Sequence, residues 1–164
     1  MPHKQMLTEV FTSNLELLKM TLADFTDADM LCRPVPKANH ALWQLGHLVN
    51  SEVALMSASV PGSMPALPEG FGQRFGHDTT SWDDAAKFGY QKQELLDLYT
   101  TVRAASTQWI KAVNLKELDK PGPEKFQKLV PTLGHLAMLI LTHVNMHVGQ
   151  LQVIRRALGK PVLF

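Results

Sequence analysis

The chain carries seven histidines, and two of them, His143 and His147, stand four positions apart in a segment whose apolar periodicity predicts a helix. Four residues of α-helix turn through about 400° and rise about 6 Å, so both imidazoles fall on one face. Two neutral imidazoles so placed can share one transition metal ion, the geometry used in zincin helices. Val144 stands where the zincin motif has its catalytic glutamate, so that motif itself is absent. The plainer alternative is a pair of ordinary surface or core histidines. Both, however, lie in residues 129–154, a run of 26 without a formal charge. A buried neutral imidazole needs hydrogen-bond partners or a metal.

A third ligand must come from another helix, and Trp43-Gln44-Leu45-Gly46-His47-Leu48 offers His47. Gly46 beside it allows a neighbouring backbone to approach closely. None of the seven glutamates stands three positions before a histidine, so the Glu-x-x-His signature of ferritin-like di-iron bundles is missing. His135 precedes His143 by about 12 Å of helix and His40 precedes His47 by about 10.5 Å, which excludes both from one metal site.

Several neighbours have two readings. Trp43, four before His47, lines a pocket or fills the core. Asn50 is placed to face the site. Gln150, one turn beyond His147, holds a ligand or packs a helix beside Gly149. Glu52 is about 140° around the helix from His47, which suits an exposed or inter-helix ion pair better than ligation. His77 and Asp78 either close over a substrate or form a solvated turn. Cys32 has no nearby base in sequence and reads as a small loop or core residue. Arg155 and Arg156 sit in a last helical turn, where cations favour the dipole.

Residues 40–52, His-Ala-Leu-Trp-Gln-Leu-Gly-His-Leu-Val-Asn-Ser-Glu, and residues 143–159, from His-Val-Asn-Met-His to Arg-Arg-Ala-Leu-Gly, resemble the two signature segments of the DinB-like superfamily. These are four-helix-bundle metalloenzymes, most of them without an established reaction. The resemblance implies one divalent metal bound by His47, His143 and His147. It also implies a use for a low-molecular-weight thiol, because characterised relatives include thiol-dependent transferases and isomerases. Three imidazoles without a carboxylate suit zinc or nickel better than magnesium or calcium. Three protein ligands leave the open position of a catalytic site. The reading that follows is a metal-dependent transferase or hydrolase acting on a small molecule through a thiol or water. The alternative is a non-catalytic metal-binding or regulatory bundle.

The elements that must position these residues are helical. The sequence has 24 Leu, 8 Met and 14 Ala against 15 Val and Ile together, a composition rich in helix formers and poor in strand formers. The expected fold is an all-α four-helix bundle with long inter-helix loops, one domain over residues 1–164. The first helix is predicted over residues 4–24 with Met6, Val10, Leu17, Leu18, Thr21 and Phe25 as its stripe. The second covers residues 40–60 after an Asn39 cap, ahead of the loop 61–80. The third covers residues 82–113, opened by a Ser81–Asp84 capping box, with Ala85, Phe88, Leu95, Tyr99, Val102, Ser106, Trp109 and Ile110 as its core face. Thr132 caps the fourth, which ends at Leu158 before Gly159 and Pro161.

The charge-free fourth helix is expected to be buried on every face, centrally or under a second copy in a homodimer. Its histidines and amides argue against a membrane span. With 16 basic and 15 acidic residues, the formal charge of +1 gives no footprint for nucleic acid. One cysteine excludes an internal disulfide framework, and residues 1–11 lack the apolar run of a leader, so a cytoplasmic location is expected.

Overall fold

A computed structural model describes residues 3–163; Met1 and Pro2, part of the stretch read for a leader, lie outside the described residues. The architecture is all-helical, as composition demands. Four long helices, α1 (His3–Leu22), α2 (Ala41–Ser59), α5 (Lys92–Ala112) and α6 (Leu133–Ala157), carry the core, and two single-turn helices, α3 (Phe71–Arg74) and α4 (Ala85–Phe88), lie between α2 and α5. Each of α1 and α2 packs against both α5 and α6. Among the described residues no helix is long and apolar enough to cross a membrane.

The core falls into two apolar clusters, and their order along each helix gives the chain directions. Along α2 the first cluster ends at Val49 and the second begins at Leu55; along α5 the change falls between Val102 and Ile110. Along α1 and α6 the order reverses, the change falling between Phe11 and Leu15 and between Ile140 and Val144. So α2 runs parallel to α5 and antiparallel to α6. The chain between α2 and α5 must therefore travel back along the bundle, roughly 28 Å for a 19-residue helix. That return carries α3, and it passes the face of α2 that bears His47.

Polar residues occupy the junction between the clusters. Glu52 on α2 accepts from the Tyr99 hydroxyl at 2.9 Å and the Ser106 hydroxyl at 2.6 Å, and pairs with Arg103 at 2.8 Å. Arg103 is only 1% exposed and its guanidinium lies over the Phe11 ring at 5.1 Å. Its Nε and Nη1 have no partner among the described residues. Glu52 is thus an inter-helix ion-pair residue, but fully buried.

Local chemistry explains where the helices depart from expectation. The predicted third helix is broken: Gly89, at φ +69°, closes α4, and a Gln91–Glu94 capping box opens α5 three residues on. Asp84 itself is the N-cap of α4, accepting from Ala86 N–H at 2.9 Å. Ala85 is exposed there, because a one-turn helix has no continuous core face. His40, not Asn39, caps α2. Its Nδ1 accepts from the Trp43 amide at 3.1 Å while Nε2–H donates to the Trp82 carbonyl at 2.8 Å. Thr132 caps α6 as expected.

The buried face of α1 is Phe11, Asn14, Leu15, Leu18, Thr21 and Leu22, whereas Met6 and Val10 of the expected stripe are exposed. The fourth helix is not buried all round either. Met138, Met146 and Val153 face outward from the single chain, so central burial accounts for only part of this helix and the rest is the face a second copy would have to cover. Arg155 is instead buried by bonds to Asp24, the Thr21 carbonyl and the Pro161 carbonyl, which tie the end of α6 to the end of α1.

Glu52→Ala leaves the Arg103 cation buried without its counter-ion, a change that typically costs about 3–5 kcal/mol. Urea unfolding should show that loss as a lowered midpoint with an unchanged slope; a midpoint within error of the parent would contradict this role.

Candidate metal centre

The antiparallel packing of α2 on α6 brings His47 beside His143 and His147. One ring nitrogen from each lies within 4.8 Å of the others. His143 Nε2 and His147 Nε2 are 3.2 Å apart. Two nitrogens bound tetrahedrally to one zinc at about 2.0–2.1 Å stand about 3.4 Å apart, so this edge is already close to a ligating geometry. The donor set is three imidazoles with no carboxylate, which fits a borderline-soft divalent transition ion.

The chain also fixes which nitrogen of His147 is free. Gln44, buried on the same face of α2, donates its amide N–H to the Asn39 carbonyl at 2.7 Å. That bond orients the amide, so its oxygen must accept from His147 Nδ1–H, 2.9 Å away. Nε2 is left with its lone pair toward the cluster, the arrangement by which metal-binding histidines are usually held. His47 is held by packing. The Trp43 indole stacks on it at 4.5 Å and 11°, and Ser51 Oγ approaches its Nε2 at 3.3 Å. Trp43 is itself anchored, donating Nε1–H to Thr79 Oγ1 at 3.1 Å and to the Gly76 carbonyl at 3.2 Å.

Gly46 serves this construction, though through a side chain rather than a backbone. A Cβ at Gly46 would lie 2.1 Å from the Phe75 ring. Only glycine lets the segment after α3 lie against α2 at that level, because the returning chain lays an aromatic ring flat on the helix there.

Burial keeps all three imidazoles neutral. It lowers His47 to about 4 and His147 to about 3, with neighbouring histidines adding to the effect, and it lowers His143 in the same direction. Neutral nitrogens are the form that binds a metal.

A cavity of about 380 Å³ opens beside the cluster, with His47, Asn50, Ser51, His77 and His143 among its lining. His77 belongs here: its ring centroid is 5.5 Å from that of His47, although the residue is exposed. Asp78 is exposed and does not line the cavity. Gln150 is exposed and outside the lining, while His135 is exposed and His40 is engaged in capping. Sequence reasoning missed Gln44, whose signal was a lone amide within an apolar helical face. It also missed Phe126 and Leu129, which the segment between α5 and α6 contributes to the cavity wall.

A helical bundle with a half-buried three-histidine cluster at the mouth of a cavity is therefore the class of protein that fold and site define. The match of the DinB superfamily to residues 11–151 gives the family: the chain belongs to the DinB superfamily. A crystal structure of a conserved protein from Enterococcus faecalis has the same fold, with a TM-score of 0.73 over 98% of this chain and 99% of that one at 21% identity. No curated protein matches the chain.

The imidazoles make stability depend on pH in a defined window. An unfolded chain protonates its histidines near 6.5, whereas the folded metal-free protein resists until about 4 at His47 and about 3 at His147. Their contribution is complete above about pH 6.5 and is lost as pH falls from there toward 4. The histidine loss begins well above that of Asp24 and Asp29, whose carboxyls are lowered from 3.8, so the range between pH 6.5 and 4 reports the imidazoles. The melting temperature of metal-free protein should fall between pH 7 and 4.5, and His147→Gln should flatten that slope; equal slopes would refute the assignment.

Proposed function

We propose that the protein is a metal-dependent enzyme, a transferase or hydrolase that turns a low-molecular-weight thiol or water on a small-molecule substrate. The observation that carries this reading is the all-imidazole cluster facing a cavity of about 380 Å³. His47, His143 and His147 would hold a divalent ion, zinc or nickel by ligand preference. Such an ion, when bound, supplies Lewis acidity, lowering the pKa of water or thiol or polarising a carbonyl. The chain's own contribution is positional. Gln44 sets the His147 tautomer, Trp43 sets the His47 ring plane, and Asn50 and Ser51 offer hydrogen bonds at the cavity end nearest the cluster.

Protein purified without added metal should contain about one zinc or nickel per chain by elemental analysis. His47→Ala, His143→Ala and His147→Ala should each remove most of it, whereas His135→Ala should leave it in place. In the cobalt-loaded protein, adding a small thiol should change the visible spectrum, since an open position is expected beside three protein ligands. A spectrum indifferent to added thiol would favour the non-catalytic metal-binding bundle instead.

The outward faces of Met138, Met146 and Val153 on α6 and of Met6, Val10 and Met20 on α1 favour a homodimer, since α1 and α6 are neighbours. Sedimentation equilibrium at micromolar concentration should give twice the chain mass of 18.3 kDa; a single-chain mass would sink the dimer.

A further inference from the structure

The cavity beside the cluster has a polarity gradient that defines what it can hold. Its lining includes no Lys, Arg, Asp or Glu. The polar groups are confined to one end. Ser51 reaches His47 at 3.3 Å, and the His77 ring is 5.5 Å from that of His47. From there the lining follows α2 forward to Leu55 and, because the helices are antiparallel, α6 backward from His143 to Leu139. His47 to Leu55 is eight residues, about 12 Å along the axis. At the far end Phe126 and Leu129 close the wall, so every lining group there is apolar.

Leu129 is 64% exposed, a large apolar side chain with one flank toward solvent at the edge of this cavity. Two exposed cations flank these residues, Lys125, which lies over the Phe126 ring at 5.4 Å, and Lys128 beside Leu129, and neither lines the cavity. A charged tail would therefore leave water without gaining a counter-ion, a cost that burial does not return. An apolar tail would gain contact with Leu55, Leu139 and Leu129 together.

We propose that the substrate is an uncharged small molecule with one donor head group, a carbonyl oxygen or thiol sulfur, at the histidine cluster and an aliphatic or aryl tail of roughly four to six carbons along α2 and α6. This rests on the metal reading of the cluster and narrows it. A polyanionic or heavily hydroxylated thiol has no matching groups in this cavity, so the tail-bearing molecule is the other reactant if such a thiol takes part.

The test uses the full chain loaded with one equivalent of zinc and three hydroxamate probes, titrated calorimetrically. Acetohydroxamate supplies the head alone, hexanohydroxamate adds the tail, and the monohydroxamate of adipic acid ends the same tail in a carboxylate. Each well-buried methylene is worth roughly fourfold in affinity. Hexanohydroxamate should bind at least fivefold more tightly than acetohydroxamate and at least fivefold more tightly than the adipic compound. Leu129→Asp should reduce the hexanoyl advantage at least threefold with zinc content still near one, and the comparison on the parent protein needs no variant. Binding of acetohydroxamate with a smaller tail advantage, or an adipic probe that binds as well, would overturn this inference and leave the metal reading standing. Failure to take up zinc would overturn both.

Discussion

The hydrogen bond from His147 Nδ1 to the Gln44 amide oxygen, 2.9 Å across the contact of α6 with α2, is the constraint on which the rest of the site depends. A cluster built from two helices exists only at one register of those helices, since one residue of slip moves a side chain by about 1.5 Å along the axis and about 100° around it. Ligating geometry tolerates about 0.5 Å. The bond fixes the register and the tautomer in one contact, because Gln44 is itself oriented by Asn39. The Phe75 ring, seated on Gly46, holds the returning chain against α2 one residue before His47. The same returning chain then accepts the Trp43 indole N–H at Gly76, so the ring that stacks on His47 is fixed from the loop side as well.

A second polar contact does for α5 what Gln44 does for α6. Glu52, Tyr99, Arg103 and Ser106 bond across the α2–α5 contact at the junction of the two apolar clusters. Buried ion pairs add little net stability over well-packed apolar groups, because desolvation offsets most of the attraction. Their effect is selective: a slipped helix would strand a carboxylate or a guanidinium in the core. With α5 and α6 each keyed to α2 by a buried polar group, the parallel pairing of α2 with α5 is affordable despite the long crossover it requires.

Much of this was legible in the sequence, and the misses have physical reasons. The four long helices, the Thr132 cap and the His143–His147 pair are local properties, visible in periodicity and spacing. The break at Gly89 was hidden because apolar residues continue at helical spacing on both sides of it. His40 displaced Asn39 as the cap because Trp82, 42 positions away, accepts from its other nitrogen, and no local pattern reports such a partner. The charge-free run of α6 was read as burial centrally or under a second copy; within one chain Met138, Met146 and Val153 face outward, because methionine and valine can lie at a surface without a charge among them. Gln44, Phe126 and Leu129 belong to the site only through tertiary contact. Of the side residues named in advance, Asn50 lines the cavity, Trp43 is a core residue that stacks on His47 without lining it, and Gln150 lies beyond it, since the cavity runs along α6 from His143 back toward Leu139.

The charge balance around the cluster links its two halves, the histidines and the apolar wall. Three neutral imidazoles give a divalent ion no compensating charge. Glu52 shares a narrow void with His143 but is already paired with Arg103. The positive charge of a bound ion would then be balanced only by what enters from the cavity. Such a site favours a head group that can carry or develop negative charge, as a thiol sulfur or a polarised carbonyl oxygen can, and the wall beyond it gives that molecule's remaining length only apolar partners. Polarity at one end and its absence at the other act on a single ligand, so affinity should come from the tail and reactivity from the head.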